Sequence, residues 1–193
     1  MVNKGPATTK ALRPLHRVHF DFAFAPAGGV RGYIGFLLLI DEFTGKIDVY
    51  LIHSKAELPG ILRQYKAEAE AHFNRAIAEL ACSPRIKLAG LRSDGEAVNV
   101  SHAVETWCSE QGIRHETSTR YSPWQDGKAE NAIKQLQVWE GSEAMRREAR
   151  APAAMWPFSV RAFVHTINRM AMGKDDRSPH EKWWETTIPL QKR

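Results

Sequence analysis

Cysteine is scarce in this chain: Cys82 and Cys108 are its two, both on predicted helices and neither in a CxxC pair. That pattern excludes a disulfide-stapled secreted scaffold and a zinc site built on paired thiols, leaving both as ordinary packing residues. Long hydrophobic runs are also missing. The longest, YIGFLLLI from Tyr33 to Ile40, falls far short of the ~20 residues a membrane helix needs and reads as a buried strand. There is no block of five like charges, which excludes a disordered basic arm, and no GxSxG, which removes the nucleophile elbow of the serine hydrolases. The opening MVNKGPATTK lacks the apolar core of a secretion signal, so an intracellular protein is expected, with residues 1–14 a flexible lead.

What is present suits one well-cored domain. The 193 residues are 43% apolar and 25% charged, and they carry a net charge of +5, which permits an anionic partner without demanding one. LHRVHFDFAF, Leu15 to Phe24, alternates, with Val18, Phe20, Phe22 and Phe24 on one side and His19, Asp21 and Ala23 on the other, as a strand does. Turns at AGGVRG and DEFTGK separate it from strands at Tyr33–Ile40 and Ile47–Ile52, giving an antiparallel meander. A long amphipathic helix follows over Leu58–Leu80, then a short strand from Ile86 to Leu91 ending at Asp94. Next come a helix closed by Gly112, a fifth strand at IRHETS, and a helix behind the loop that starts at Tyr121. On that helix Ala129, Ala132, Ile133 and Leu136 form an apolar stripe toward a core. Pro157 opens another helix, and Ser178 with Glu181 forms a capping box for a last short one. The whole reads as an α/β unit over residues 15–193, a five-stranded mixed sheet with helices on both faces.

Three acids fall where sites gather in such sheets, at strand ends and helix starts. A carboxylate at Asp21, between Phe20 and Phe22 in a central strand, is costly to bury without a partner such as a metal or a base. Alone, Asp94 is a turn residue before Gly95, and Glu130 an acid favoured by the dipole at a helix start. His16 and His19 point to opposite faces of a strand and make a poor metal pair.

The order Asp, Asp, Glu, with 35 residues between Asp94 and Glu130, changes that balance. With HFDF around the first acid, LRSDGEAVN around the second, GIRHETSTRYSPWQDGKAEN up to the third, and WPFSVRAFVHTINRM beyond, the chain resembles the catalytic core of retroviral and copia-type retrotransposon integrases. The resemblance implies an RNase H-like fold and a polynucleotidyl transferase. Such an enzyme trims element DNA ends with water and then joins the 3′-hydroxyl to target DNA. It further implies two Mg²⁺ or Mn²⁺ ions held by Asp21, Asp94 and Glu130, with Asp21 shared. Contacts to double-stranded DNA are implied for Lys134, Gln137, Tyr121, Trp124 and Gln125, along with a dimer of cores, a tetramer on DNA, and action in the nucleus. The sequence departs from the family pattern in the trimmed turn after Asp94, and in Trp124 and Asp126, which stand where glutamine and asparagine are usual. Two other readings stay open. One is a catalytically silent, domesticated DNA-binding or assembly module; the other is an RNase H-type nuclease, which would recruit a fourth carboxylate such as Glu96 or Asp41.

Overall fold

The computed structural model describes residues 10–78, 85–94, 102–118, 126–171 and 176–185, with 76–78, 94, 117–118 and 126–135 described by backbone alone. Five strands form one open sheet: β1 (Val18–Phe24), β2 (Gly35–Asp41), β3 (Ile47–Ile52), β4 (Gly90–Asp94) and β5 (Arg114–Ser118), in the order β3-β2-β1-β4-β5. The first three pair antiparallel, and β4 and β5 then add parallel to β1. The parallel additions follow helices α1 (Leu58–Ala78) and α2 (His102–Glu110), as parallel neighbours require a crossover. The expected mixed sheet of meander plus parallel strands is the one observed.

One face of the sheet packs Val18, Phe20, Leu37, Leu39, Ile52, Leu91 and Ile113 against α1 and α2. From α1 come Leu62, Tyr65 and Phe73, and from α2 Val104, Trp107 and Cys108. Cys108 is a buried free thiol, with burial pushing it up to about 11, so it is an inert packing residue. The other face packs Phe36, Leu38, Ile40 and Ile47 against Val138 of α3 (Asp126–Glu148) and Trp156, Val160 and Val164 of α4 (Trp156–Ile167). Helices therefore cover both faces, as expected.

Several boundaries differ from the expected ones for local reasons. Strand β1 starts at Val18 because Leu15 lies in the left-handed region at φ 59° and donates its amide to Asp41 Oδ2 at 2.8 Å. Strand β4 starts at Gly90 because the expected strand residues before it are bonded to α1 side chains. Asn74 clamps both backbone groups of Ile86 at 3.0 and 3.1 Å, and Glu70 accepts from the Leu88 amide at 2.9 Å. Gly112, at φ 66°, closes α2, and Pro157 sits in the first turn of α4. Ser178 and Glu181 form the expected capping box before α5 (Pro179–Glu185). Asn168, just past α4, donates to Ile47 O at 2.7 Å and accepts from Ile47 N at 2.9 Å, gripping the start of edge strand β3.

The stripe expected on α3 is corrected at its described end. Leu136 is 55% exposed, whereas Val138 and Ser142 are fully buried. Two residues turn a helix by about 200°, so the core-facing side lies nearly opposite. The packing against α4 sets this phase: the Phe163 ring stands directly on Gly141, with ring atoms 2.1 Å from where a Cβ would be.

Candidate active site

Asp21 sits in the middle of β1, half-buried, and its Oδ1 accepts the Phe22 amide at 2.8 Å. Strand β1 pairs with β4 through Val18–Leu91, His19–Arg92 and Phe20–Ser93. The next step of that register sets Asp21 opposite Asp94, the last residue of β4. The ladder stops at Phe20–Ser93, so the two acids stand where β1 and β4 begin to part.

Alternation fixes the face on which they stand. Val18 and Phe20 belong to the α1–α2 side, and Ser93 is bound there too, its Oγ 3.2 Å from Nε2 of His115, which stacks on Phe20. Positions 19, 21, 92 and 94 therefore belong to the opposite face, the one that α3 and α4 cover. Glu130 lies on α3, which approaches β1. Because α3 begins at Asp126, Glu130 is in its second turn, one turn later than the sequence implied, and the helix-dipole account of this acid weakens accordingly. Asp126 is itself the first helical residue.

Among the other implied positions, Lys134 lies on α3, described there by backbone alone, and Gln137 on the same helix is exposed. Tyr121, Trp124 and Gln125 lie outside the described residues. Among the described residues no group of three His, Cys, Asp or Glu side chains could hold a metal. The Asp94 and Glu130 side chains are not among them.

Asp41 is no candidate for a fourth site carboxylate. It is 1% exposed, sits opposite Val18 in the β1–β2 register, and accepts from Leu15 N, Thr44 N and Thr44 Oγ1, each at 2.8 Å. Burial pushes its carboxyl up, against the pull of those three donors. Its role is to lock the β2–β3 turn.

One charged network beside the acids went unread in the sequence. Arg17, 6% exposed, reaches Glu42 Oε2 at 3.0 Å with one nitrogen and Glu116 Oε2 at 3.2 Å with its Nε. His19 Nε2 lies 2.9 Å from Glu42 Oε2, and the Ala11 amide donates to Glu42 Oε1 at 3.0 Å. Burial alone would raise Glu42, but the bonds from His19, Arg17 and Ala11 outweigh it and hold the carboxyl down at about 2. An ionised Glu42 accepts only, so the His19 Nε2 carries the proton. His19 is thus held by the network, as a packed strand histidine. A signal for this was present in the alternation: Arg17, His19 and Asp21 fall on the same side of the strand.

No protein-family model matches the chain. Over 134 residues, 69% of its length, it is 29% identical to the retrovirus-related Pol polyprotein from transposon TNT 1-94 of Nicotiana tabacum, of which it spans 9%. Its fold is similar to a chain of a simian T-cell lymphotropic virus intasome (TM-score 0.62, 16% identity), covering 97% of this chain and 59% of that one. It is also similar to the HTLV-2 integrase catalytic core domain in complex with magnesium (TM-score 0.57, 16% identity), covering 88% and 97% of the two chains. The catalytic core domain of BIV integrase matches at TM-score 0.53 and 16% identity, covering 89% and 95%. The sequence is thus similar to a retrotransposon Pol polyprotein over about two thirds of the chain, and the fold is the RNase H-like one of retroviral integrase catalytic cores.

Proposed function

We propose, taking this chain as an integrase core of the retroviral integrase superfamily, that it is a polynucleotidyl transferase acting on the DNA ends of a retroelement. The observation that carries the reading is the β1–β4 register, which sets Asp21 beside Asp94 on the sheet face approached by α3, the helix bearing Glu130.

An all-oxygen donor set of two aspartates and a glutamate suits a hard divalent cation, and the similar HTLV-2 core is a magnesium complex. Asp21, Asp94 and Glu130 would hold such ions, two per site. When bound, magnesium supplies charge neutralisation at the phosphate and a more acidic attacking hydroxyl. The Phe22 amide fixes the Asp21 carboxylate. In the first reaction, water adds to a phosphodiester near the element's end and the bond to the 3′ oxygen breaks, leaving a free 3′-hydroxyl. In the second, that hydroxyl attacks a target phosphodiester, one ester bond forming as another breaks, so no oxidant or external energy source is needed. Lys134 and Gln137, one and two turns beyond Glu130, are placed to meet DNA entering the site. The partner is double-stranded DNA, and the working form is a multimer of such cores.

The sequestration of Asp41 counts against the RNase H-type alternative that would recruit it. The test is Mg²⁺-dependent end processing and strand transfer by wild type and by Asp21→Asn, Asp94→Asn and Glu130→Gln. Loss of several kcal/mol of charge stabilisation predicts a rate fall of roughly 10³-fold in each. Asp21→Asn retains an oxygen to accept the Phe22 amide, so its melting temperature should stay near wild type. Wild type and variants of equal activity, or of none, would leave a silent DNA-binding module.

A further inference from the structure

We propose that Arg92 and Arg114 form a phosphate track on the sheet face that bears the acids, carrying the backbone of duplex DNA away from the reacting bond. The proposal rests on the reading above and assigns side chains to it.

The two arginines share that face by alternation. Arg92 stands between Leu91 and Ser93, and Arg114 between Ile113 and His115. All four neighbours are turned to the α1–α2 side: Leu91 and Ile113 lie in its core, and Ser93 bonds His115, which stacks on Phe20. The registers then arrange the opposite face in rows: Asp21, Asp94 and Ser118; His19, Arg92 and Glu116; and, one step beyond the paired residues on β1, Arg17, Gly90 and Arg114. Successive rows are two residues apart, about 6.6 Å. Arg92 thus lies about 7 Å and Arg114 about 13 Å behind the acid row. With one phosphate per 3.4 Å of rise on each strand, both fall within roughly four phosphates of the reacting one.

Among the described residues the apolar packing under α3 and α4 uses β2 and β3 with Ala23 of β1 and no residue of β4 or β5, and Arg114 is exposed while Arg92 is half-buried. Neither arginine side chain has an ion-pair or hydrogen-bond partner among the described residues, whereas that of Arg17 is committed to Glu42 and Glu116. In the two rows behind the acid row, Arg17, Arg92 and Arg114 meet two described carboxylates, Glu42 and Glu116, both already bonded to Arg17, so these rows carry a net positive charge beside the acids. An extended cationic strip continuous with a carboxylate site fits a polyanion with regularly spaced charges better than it fits a single small anion.

The test is binding of the full chain to a fluorescently labelled duplex oligonucleotide over a salt series. Arg92→Ala and Arg114→Ala should each weaken binding several-fold at low salt, equally for unrelated sequences, and reduce the slope of log K against log salt by about 0.9. Arg92→Lys should keep the slope, and Arg63→Ala, on the exposed side of α1, should match wild type. Arg114 is exposed on an edge strand, so its variant reports even if Arg92→Ala melts early. Wild-type slope and affinity in Arg114→Ala and in folded Arg92 variants would overturn the track while leaving the catalytic reading intact. Failure of the wild type to bind duplex DNA would overturn both.

Discussion

The two faces of the sheet are finished differently. Beneath α1 and α2 the apolar surface runs from Ile52 on β3 to Ile113 just before β5, sealed by Phe73, Val104 and Trp107. Beneath α3 and α4 it stops partway, with Phe36, Leu38 and Ile47 covered, and toward β5 the positions become polar, with Arg17, Arg92, Arg114 and Glu116 among them. Asp21 and Asp94 stand at that border. A carboxylate at Asp21 is backed by the β1–β4 strand pair and stands half-buried at the edge of the apolar packing. The contrast teaches that one face is given over to apolar packing, while the other keeps a charged half on which the proposed chemistry would act.

The contrast can be broken most sharply from the sealed side. Phe73→Ala should cost about 3–5 kcal/mol, since Phe73 is fully buried and its neighbours span a helix, the sheet and Trp183. Denaturant melts would show this, and a loss below about 1 kcal/mol would mean the face repacks and is not a close-fitted core. Gly141→Ala should cost about 1–2 kcal/mol by displacing the Phe163 ring, even though alanine favours the helix by about 1 kcal/mol. In a Phe163→Ala background the same change should turn stabilising, a reversal that a double-mutant cycle reads directly.

The smallest effect is expected in the charged half. Glu42 is held at about 2, below its usual 4.5, so its contribution is fully present above pH 4.5 and is lost as pH falls through about 2. Glu42→Gln should therefore cost about 1 kcal/mol at neutral pH, the full shift being discounted for solvent screening of a partly exposed group. The gap from wild type should close between pH 4.5 and 2. A gap constant with pH would assign Glu42 a packing role instead.

The strand alternation in LHRVHFDFAF, the turns and the capping residues made the sheet, the order of elements and the faces of β1 legible in the sequence. Those signals are local. The start of β4 was not legible, because Asn74 and Glu70 capture Ile86 and Leu88 across a long stretch of chain. Nor was the buried side of α3 at its described end, where Val138 and Ser142 rather than Leu136 turn inward beside the contact of Gly141 with Phe163 of α4. At the site, Asp21 was conspicuous as a charge between aromatic residues, while Asp94 and Glu130 acquired meaning only through their spacing. Arg92 and Arg114 carry no motif. Their placement emerges from the register, which only the folded sheet defines.

The grip of Asn168 on Ile47 closes a different question, that of how the sheet ends. A side-chain amide presents one donor and one acceptor in the spacing of a peptide group, so at Ile47 it imitates the backbone of a sixth strand. The outer border of β3 is thereby occupied at that point by its own chain, and a foreign extended segment seeking to zip onto the sheet meets a decoy where it would have to begin.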